Sequence, residues 1–162
     1  MSSIRKSGPD TETLVRRVGF RLSLANVTRW NSQLKMIVDF LRALEKDPNI
    51  QEHLSSFKTH GMFSFHEIKI LKELVMILQP FQDTTDEWQR DFLSVGTNIP
   101  AYIHMRNTQN NFCKPGSGIV YCKQFAKSLL ESLDRRFEYV LTDTLYLLGI
   151  SDFRISKFLF QN

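Results

Sequence analysis

Apolar residues recur at helical spacing along most of this 162-residue chain. From Asn31 onward, Leu34, Ile37, Val38, Leu41 and Leu44 fall on one stripe, while Lys35, Asp39, Arg42 and Lys46 lie off it. That is the signature of a helix with one face turned to a core, and Asn31 or Ser32 supplies its cap. Asp47 followed by Pro48 signals a second start, with Ile50, Leu54 and Phe57 on one face of a short helix. The run "FSFHEI" predicts a sharp third start. Ser64 and Glu67 have capping-box spacing, and Phe63 is placed to staple onto Ile68. Ile68, Leu71, Leu74, Val75 and Leu78 follow, and Ile70 and Ile77 widen the stripe until the helix is apolar around most of its circumference. It is the predicted central helix of a bundle.

Pro80 is expected to kink or end that helix, after which Phe81, Thr85, Trp88 and Phe92 keep to one side. Pro100 sits in the first turn of a further helix carrying Ile99, Tyr102, Ile103 and Met105, and "NNFCKPGSG" reads as an exposed loop. A long helix is predicted from about Ile119 to Thr142, with Cys122, Ala126, Leu129, Leu133, Phe137 and Val140 in register. Before residue 31 the period is weak: "SGPD" reads as a turn, "TETLVRRVGF" as a short helix ending at Gly19, and "FRLSL" as a brief extended piece. Strand-like alternation is missing after residue 30. The predicted fold is all-α, a helical bundle with a short irregular N-terminal lead-in.

An apolar share of 42% and an aromatic share of 12% fit a folded domain. No apolar run reaches the length of a membrane helix, and "MSSIRKSGPD" has no signal-like apolar core, so the expectation is a soluble intracellular protein with no membrane partner. Cys113 and Cys122 lack C-x-x-C spacing, and the four His residues are scattered, so no metal site is expected and both thiols are read as reduced, Cys122 buried in a helix. The net charge of +4 is concentrated at one end. Residues 1–35 hold Arg5, Lys6, Arg16, Arg17, Arg21, Arg29 and Lys35 against Asp10 and Glu12, a balance of +5, and the remainder carries −1. A polyanion would meet that end.

The chemistry of most enzymes is not written here: the chain has no P-loop, no G-x-G-x-x-G, no H-E-x-x-H and no G-x-S-x-G. Asp83, Asp86, Glu87 and Asp91 share helical spacing that suits either a divalent cation or, with no second oxygen cluster to complete the coordination, a solvated acidic face; the second reading is preferred. Glu131, Asp134 and Glu138 alternate with Lys127, Arg135 and Arg136 in the manner of a solvated helix surface. The apolar ending "LYLLGISDFRISKFLFQN" reads as truncated and in want of a protein partner or a second copy.

Four phrases occur in a telling order: "TRWNSQLKMI", "ILQPFQDTTDEW", "TNIPAYIHMRN" and "LLESLDRRFEYV". In that order, over most of its length, the chain resembles hAT-superfamily transposases and their domesticated relatives, the zinc-finger BED proteins. The T-R-W-N-S run is the most specific match. Near the end, where the family reads L-D-P-R-F-K, "LGISDFRISKF" shares a Phe and an Arg. The resemblance implies that residues 1–30 are the trailing part of a ribonuclease H-like core and residues 31–162 an all-α insertion domain. The family's catalytic aspartates would then lie before Met1 and its glutamate after Asn162, so that this chain is no enzyme alone. No cofactor is implied, divalent metal belonging to a complete parent transposase. The implied setting is nuclear, with DNA as partner.

Within that resemblance Arg29 and Trp30 are the DNA-contact residues. An indole stacks on a flipped base whatever its identity, and an adjacent guanidinium grips a phosphate through two parallel hydrogen bonds. Packing is the alternative for the same pair, with Trp30 covering the open end of the helix and Arg29 in solvent.

Overall fold

A computed structural model describes residues 8–23, 30–55, 62–89 and 98–143. Every regular element among them is a helix: α1 (Gly8–Val18), α2 (Trp30–Lys46), α3 (Ile50–Ser55), α4 (Phe65–Trp88), α5 (Asn98–Cys113) and α6 (Lys123–Thr142). The chain is therefore all-α, as its periodicity predicts. It forms two compact units, Met1–Val75 and Met76–Asn162, and α4 contributes to both. Each unit takes its own row of α4 side chains: Ile68, Leu71 and Val75 in the first, Ile77, Phe81 and Trp88 in the second. Service to two cores explains why this helix reads as apolar around its circumference.

In the first unit, α1 begins at Gly8, so "SGPD" is not the turn expected of it. Pro9 falls in the first turn, where its missing N–H has no intrahelical partner to lose. The helix stops at Gly19, whose φ of +80° a side chain would strain and whose N–H donates to the Val15 carbonyl at 2.7 Å. Lys46 adds a second closure, its Nζ donating to the Val18 carbonyl at 3.0 Å, a cation at the negative end of the helix dipole. Lys46 and Arg42 also stand over the Phe20 ring, at 5.5 and 4.6 Å from its centroid.

Leu14 and Val18, one turn apart on α1, are buried with Phe40, Leu41 and Ala43 of α2 and Ile50 of α3. Each such side chain contributes about 1.5–3 kcal/mol by leaving water. The segment expected to be an irregular lead-in thus supplies two core residues. The division at residue 30 that the resemblance implies concerns ancestry, and it stays an expectation.

α2 opens at Trp30, so Asn31 and Ser32 lie inside the helix and neither holds the cap position expected of it. Leu34 and Leu41 of the expected stripe are buried; Ile37, Val38 and Leu44 are half-buried. Asp39, expected to face away, is half-buried and accepts the Ser23 N–H at 2.9 Å. After α2, Asp47 builds a turn instead of starting a helix at once. Its Oδ1 accepts the Asn49 N–H and its carbonyl the Ile50 N–H, both at 3.0 Å, and α3 follows. The Leu54 side chain and Phe57 lie outside the described residues.

The start of α4 is the capping box read from the sequence. Glu67 N–H donates to Ser64 Oγ at 3.2 Å, and Ser64 N–H donates back to Glu67 Oε2 at 2.7 Å. The Ser64 hydroxyl donates to the same Oε2 at 2.8 Å. Phe63 meets Phe40 of α2, with ring centroids 5.2 Å apart. Pro80 does not end α4, which runs on for eight residues to Trp88. Thr84 and Thr85 follow the proline and fold their hydroxyls back to the Pro80 and Phe81 carbonyls at 2.9 and 2.7 Å. Phe92 lies outside the described residues, as do residues 90–97 generally.

In the second unit α5 and α6 make the most extensive helix pair. α5 buries Ile99, Tyr102, Met105 and Gln109, a row at spacings of three and four. It runs through Cys113, so "NNFC" is helical where a loop was expected, and the connection is residues 114–122. α6 begins at Lys123, four residues later than predicted. Cys122 is buried, but at the position before the helix and not within it. Ile119 anchors the connection, 1% exposed. Tyr102, Met105 and Leu133 form the core of the pair, with Phe81, Trp88, Ile103 and Phe137 packed against it.

Candidate nucleic-acid interface

Trp30 is the first residue of α2, and its position relative to Leu34, Ile37 and Leu41 follows from helical geometry: steps of four, seven and eleven put all four on one face. Leu34 is 1% exposed and Trp30 42% exposed. The apolar stripe therefore runs past the edge of the core, and the indole that ends it is left with a large part of its surface in water. Arg29 lies outside the described residues, as do residues 24–28 before it.

Beside Trp30, the side-chain oxygen Oδ1 of Asn31 is buried and has no hydrogen-bond partner among the described residues. A buried acceptor left unpaired costs about 1–3 kcal/mol. A residue expected to cap the helix thus carries an unpaired acceptor at its start.

The basic residues of the first unit do different things. Arg17 Nη1 meets Asp47 Oδ2 at 3.1 Å, an ion pair open enough to solvent to add little. Arg16, Arg21 and Lys35 are exposed. Lys46 and Arg42 are engaged with the Val18 carbonyl and the Phe20 ring. Arg5 and Lys6 lie outside the described residues. Arg16, Arg21 and Lys35 thus keep positive charge on the surface of the unit that carries Trp30.

The acidic groups resolve differently from one another. Asp83 accepts from Gln79 Nε2 at 2.8 Å, and Asp86 and Glu87 are exposed; Asp91 lies outside the described residues. Among the described residues no group of three or more His, Cys, Asp or Glu is disposed to hold a metal ion. Asp134 departs from the solvated surface expected of it: its Oδ1 accepts from Tyr102 Oη at 2.8 Å and from Arg106 Nε at 2.9 Å, joining α6 to α5. Its neighbours keep to the expected pattern, as in the loose Lys127–Glu131 pair at 3.9 Å. No described helix is long and apolar enough to cross a membrane. The apolar ending from residue 144 onward, to which a protein partner or second copy was assigned, lies outside the described residues.

No family model, no curated protein and no solved structure matches this chain.

Proposed function

We propose that the chain is a piece of a hAT-type transposase or of a domesticated descendant, that it contributes DNA positioning and scaffold, and that it catalyses nothing alone. The observation that carries this reading is the exposed indole of Trp30, at the head of a helix whose stripe it shares with fully buried Leu34. An open aromatic face on the more basic part of the chain suits an unstacked base, with Arg29 next to it in sequence to take a phosphate. DNA as the partner implies work in the nucleus. Any divalent metal would belong to the catalytic acids of a complete parent, not to residues of this chain.

Gel-shift titration of the full chain with hairpin DNA tests the reading. Trp30→Ala and Arg29→Ala should each weaken binding, the first by roughly tenfold or more, since stacking contributes about 1–3 kcal/mol per base. Equal affinity in wild type and both variants would refute it. The second reading is a protein-interaction module with no DNA role, and exposed Met62, Phe63 and Phe65 at the head of α4 favour it.

A further inference from the structure

Helix α4 carries an exposed stripe that lies outside both cores. Lys69, Lys72, Met76, Asp83 and Glu87 follow Phe65 at steps of four, seven, eleven, eighteen and twenty-two, so all six residues fall within an arc of about 60° on one face. Phe65 is 74% exposed and Met76 45%, and the four charged side chains are exposed as well. Among the described residues none of the four makes an ion pair. Lys69 Nζ stands over the Phe65 ring, 4.6 Å from its centroid, and Asp83 accepts from the neutral Gln79.

The order of charge along the stripe is unfavourable to the helix by itself. Both cations precede Met76 and both anions follow it, and the last turn, which holds Asp86 and Glu87, has no basic residue. Acidic groups there meet the negative end of the helix dipole. A helix running the other way alongside would offset that conflict. The positions are also symmetric about Met76: Lys69 and Asp83 each lie seven residues from it, Phe65 and Glu87 eleven.

We propose that α4 pairs with α4 of a second copy of this chain, antiparallel, about a two-fold axis at Met76. Each Lys69 then lies opposite Asp83 of the second copy, with Lys72 one turn away, and each Phe65 lies opposite Glu87. The two Met76 side chains meet at the axis, where flexible thioethers pack without demanding a particular shape. A parallel arrangement would set lysine against lysine and aspartate against aspartate, so the charge order selects the antiparallel one. With Phe65 and Met76 its only apolar members, the contact should be weak and salt-sensitive, with a Kd on the order of 100 µM at low salt. It uses neither Arg29 nor Trp30 and stands or falls apart from the DNA reading.

Sedimentation velocity of the full chain, without DNA, tests it between about 50 and 500 mM salt. Lys69→Glu with Lys72→Glu makes the stripe wholly acidic, and Asp83→Lys with Glu87→Lys makes it wholly basic. Each double variant alone should dimerise about tenfold or more weakly than wild type, and an equimolar mixture of the two should recover a heterodimer that high salt dissolves. Lys69→Gln with Lys72→Gln, a milder change, should weaken self-association in the same direction. All four positions are exposed, and circular dichroism verifies that the variants stay helical. Double variants that self-associate like wild type would overturn the proposal, as would a mixture that gains nothing over its components. So would a wild-type chain still monomeric at about 500 µM and low salt.

Discussion

Gln109, completely enclosed on α5, donates its side-chain N–H to the backbone carbonyl of Ile77 on α4 at 2.8 Å. Ile77 lies three residues before Pro80, in the turn where the proline ring crowds the helix and removes one amide donor. The amide that Pro80 lacks would have reached the Met76 carbonyl, so the carboxamide donates one residue beyond that gap. Its other atom, Oε1, is buried with no partner among the described residues.

Gln109→Ala should cost about 2–4 kcal/mol, from the cavity and the lost donor together. Gln109→Leu keeps most of the volume and deletes the orphaned oxygen, so it should cost at least about 1 kcal/mol less than the alanine variant. Urea melts of the three proteins decide it; equal losses for Ala and Leu would mean that the enclosure of Oε1 carries no penalty.

Tyr102 gives the alkaline behaviour. Burial first, and then the hydrogen bond to Asp134, raise its phenol above the ordinary value of 10.0. The folded chain then holds a proton that the unfolded chain releases, so this contribution is fully present below pH 10 and is lost as pH rises through the raised folded value. Tyr102→Phe should lower stability by about 1–2 kcal/mol at neutral pH, since the acceptor is a carboxylate. Its denaturation curve should also fall less steeply than wild type above pH 10.

At the head of α4 the sign reverses. The Ser64 backbone N–H first, and its hydroxyl second, hold the Glu67 carboxyl below its ordinary value of 4.5. Stability from this contact is present above pH 4.5 and is lost as pH falls through the lowered folded value. Ser64→Ala should cost about 1 kcal/mol at neutral pH. A Glu67→Gln variant, which keeps capping geometry without the charge, should show a weaker acid dependence than wild type as pH falls below 4.5.

Trp30 and Leu34 sit one turn apart and should respond in opposite ways. Leu34→Ala, at 1% exposure, should cost about 2–5 kcal/mol in a thermal or urea melt. Trp30→Ala, at the open end of the stripe, should cost less than Leu34→Ala while losing DNA affinity. A larger stability loss at Trp30 than at Leu34 would make the indole a packing residue.

What the chain's own periodicity determined was local. The stripes on α2 and α5, the Ser64–Glu67 box and the Gly19 stop were all legible, because each depends on residues within about four positions of one another, the reach of a helical turn. The exposed indole could not be read, because Trp30 lies on the same stripe as Leu34 and only the limit of the core separates them. Tertiary structure alone decided that α4 serves two units, that it survives Pro80, and that Asp134 ties α6 to α5 when its spacing suggested a solvated surface. The Gln109–Ile77 and Tyr102–Asp134 bonds join partners about thirty residues distant, which no helical period can encode. Helix identity is a short-range property of side-chain spacing; which face is covered, and by what, is settled by packing between segments remote in the chain.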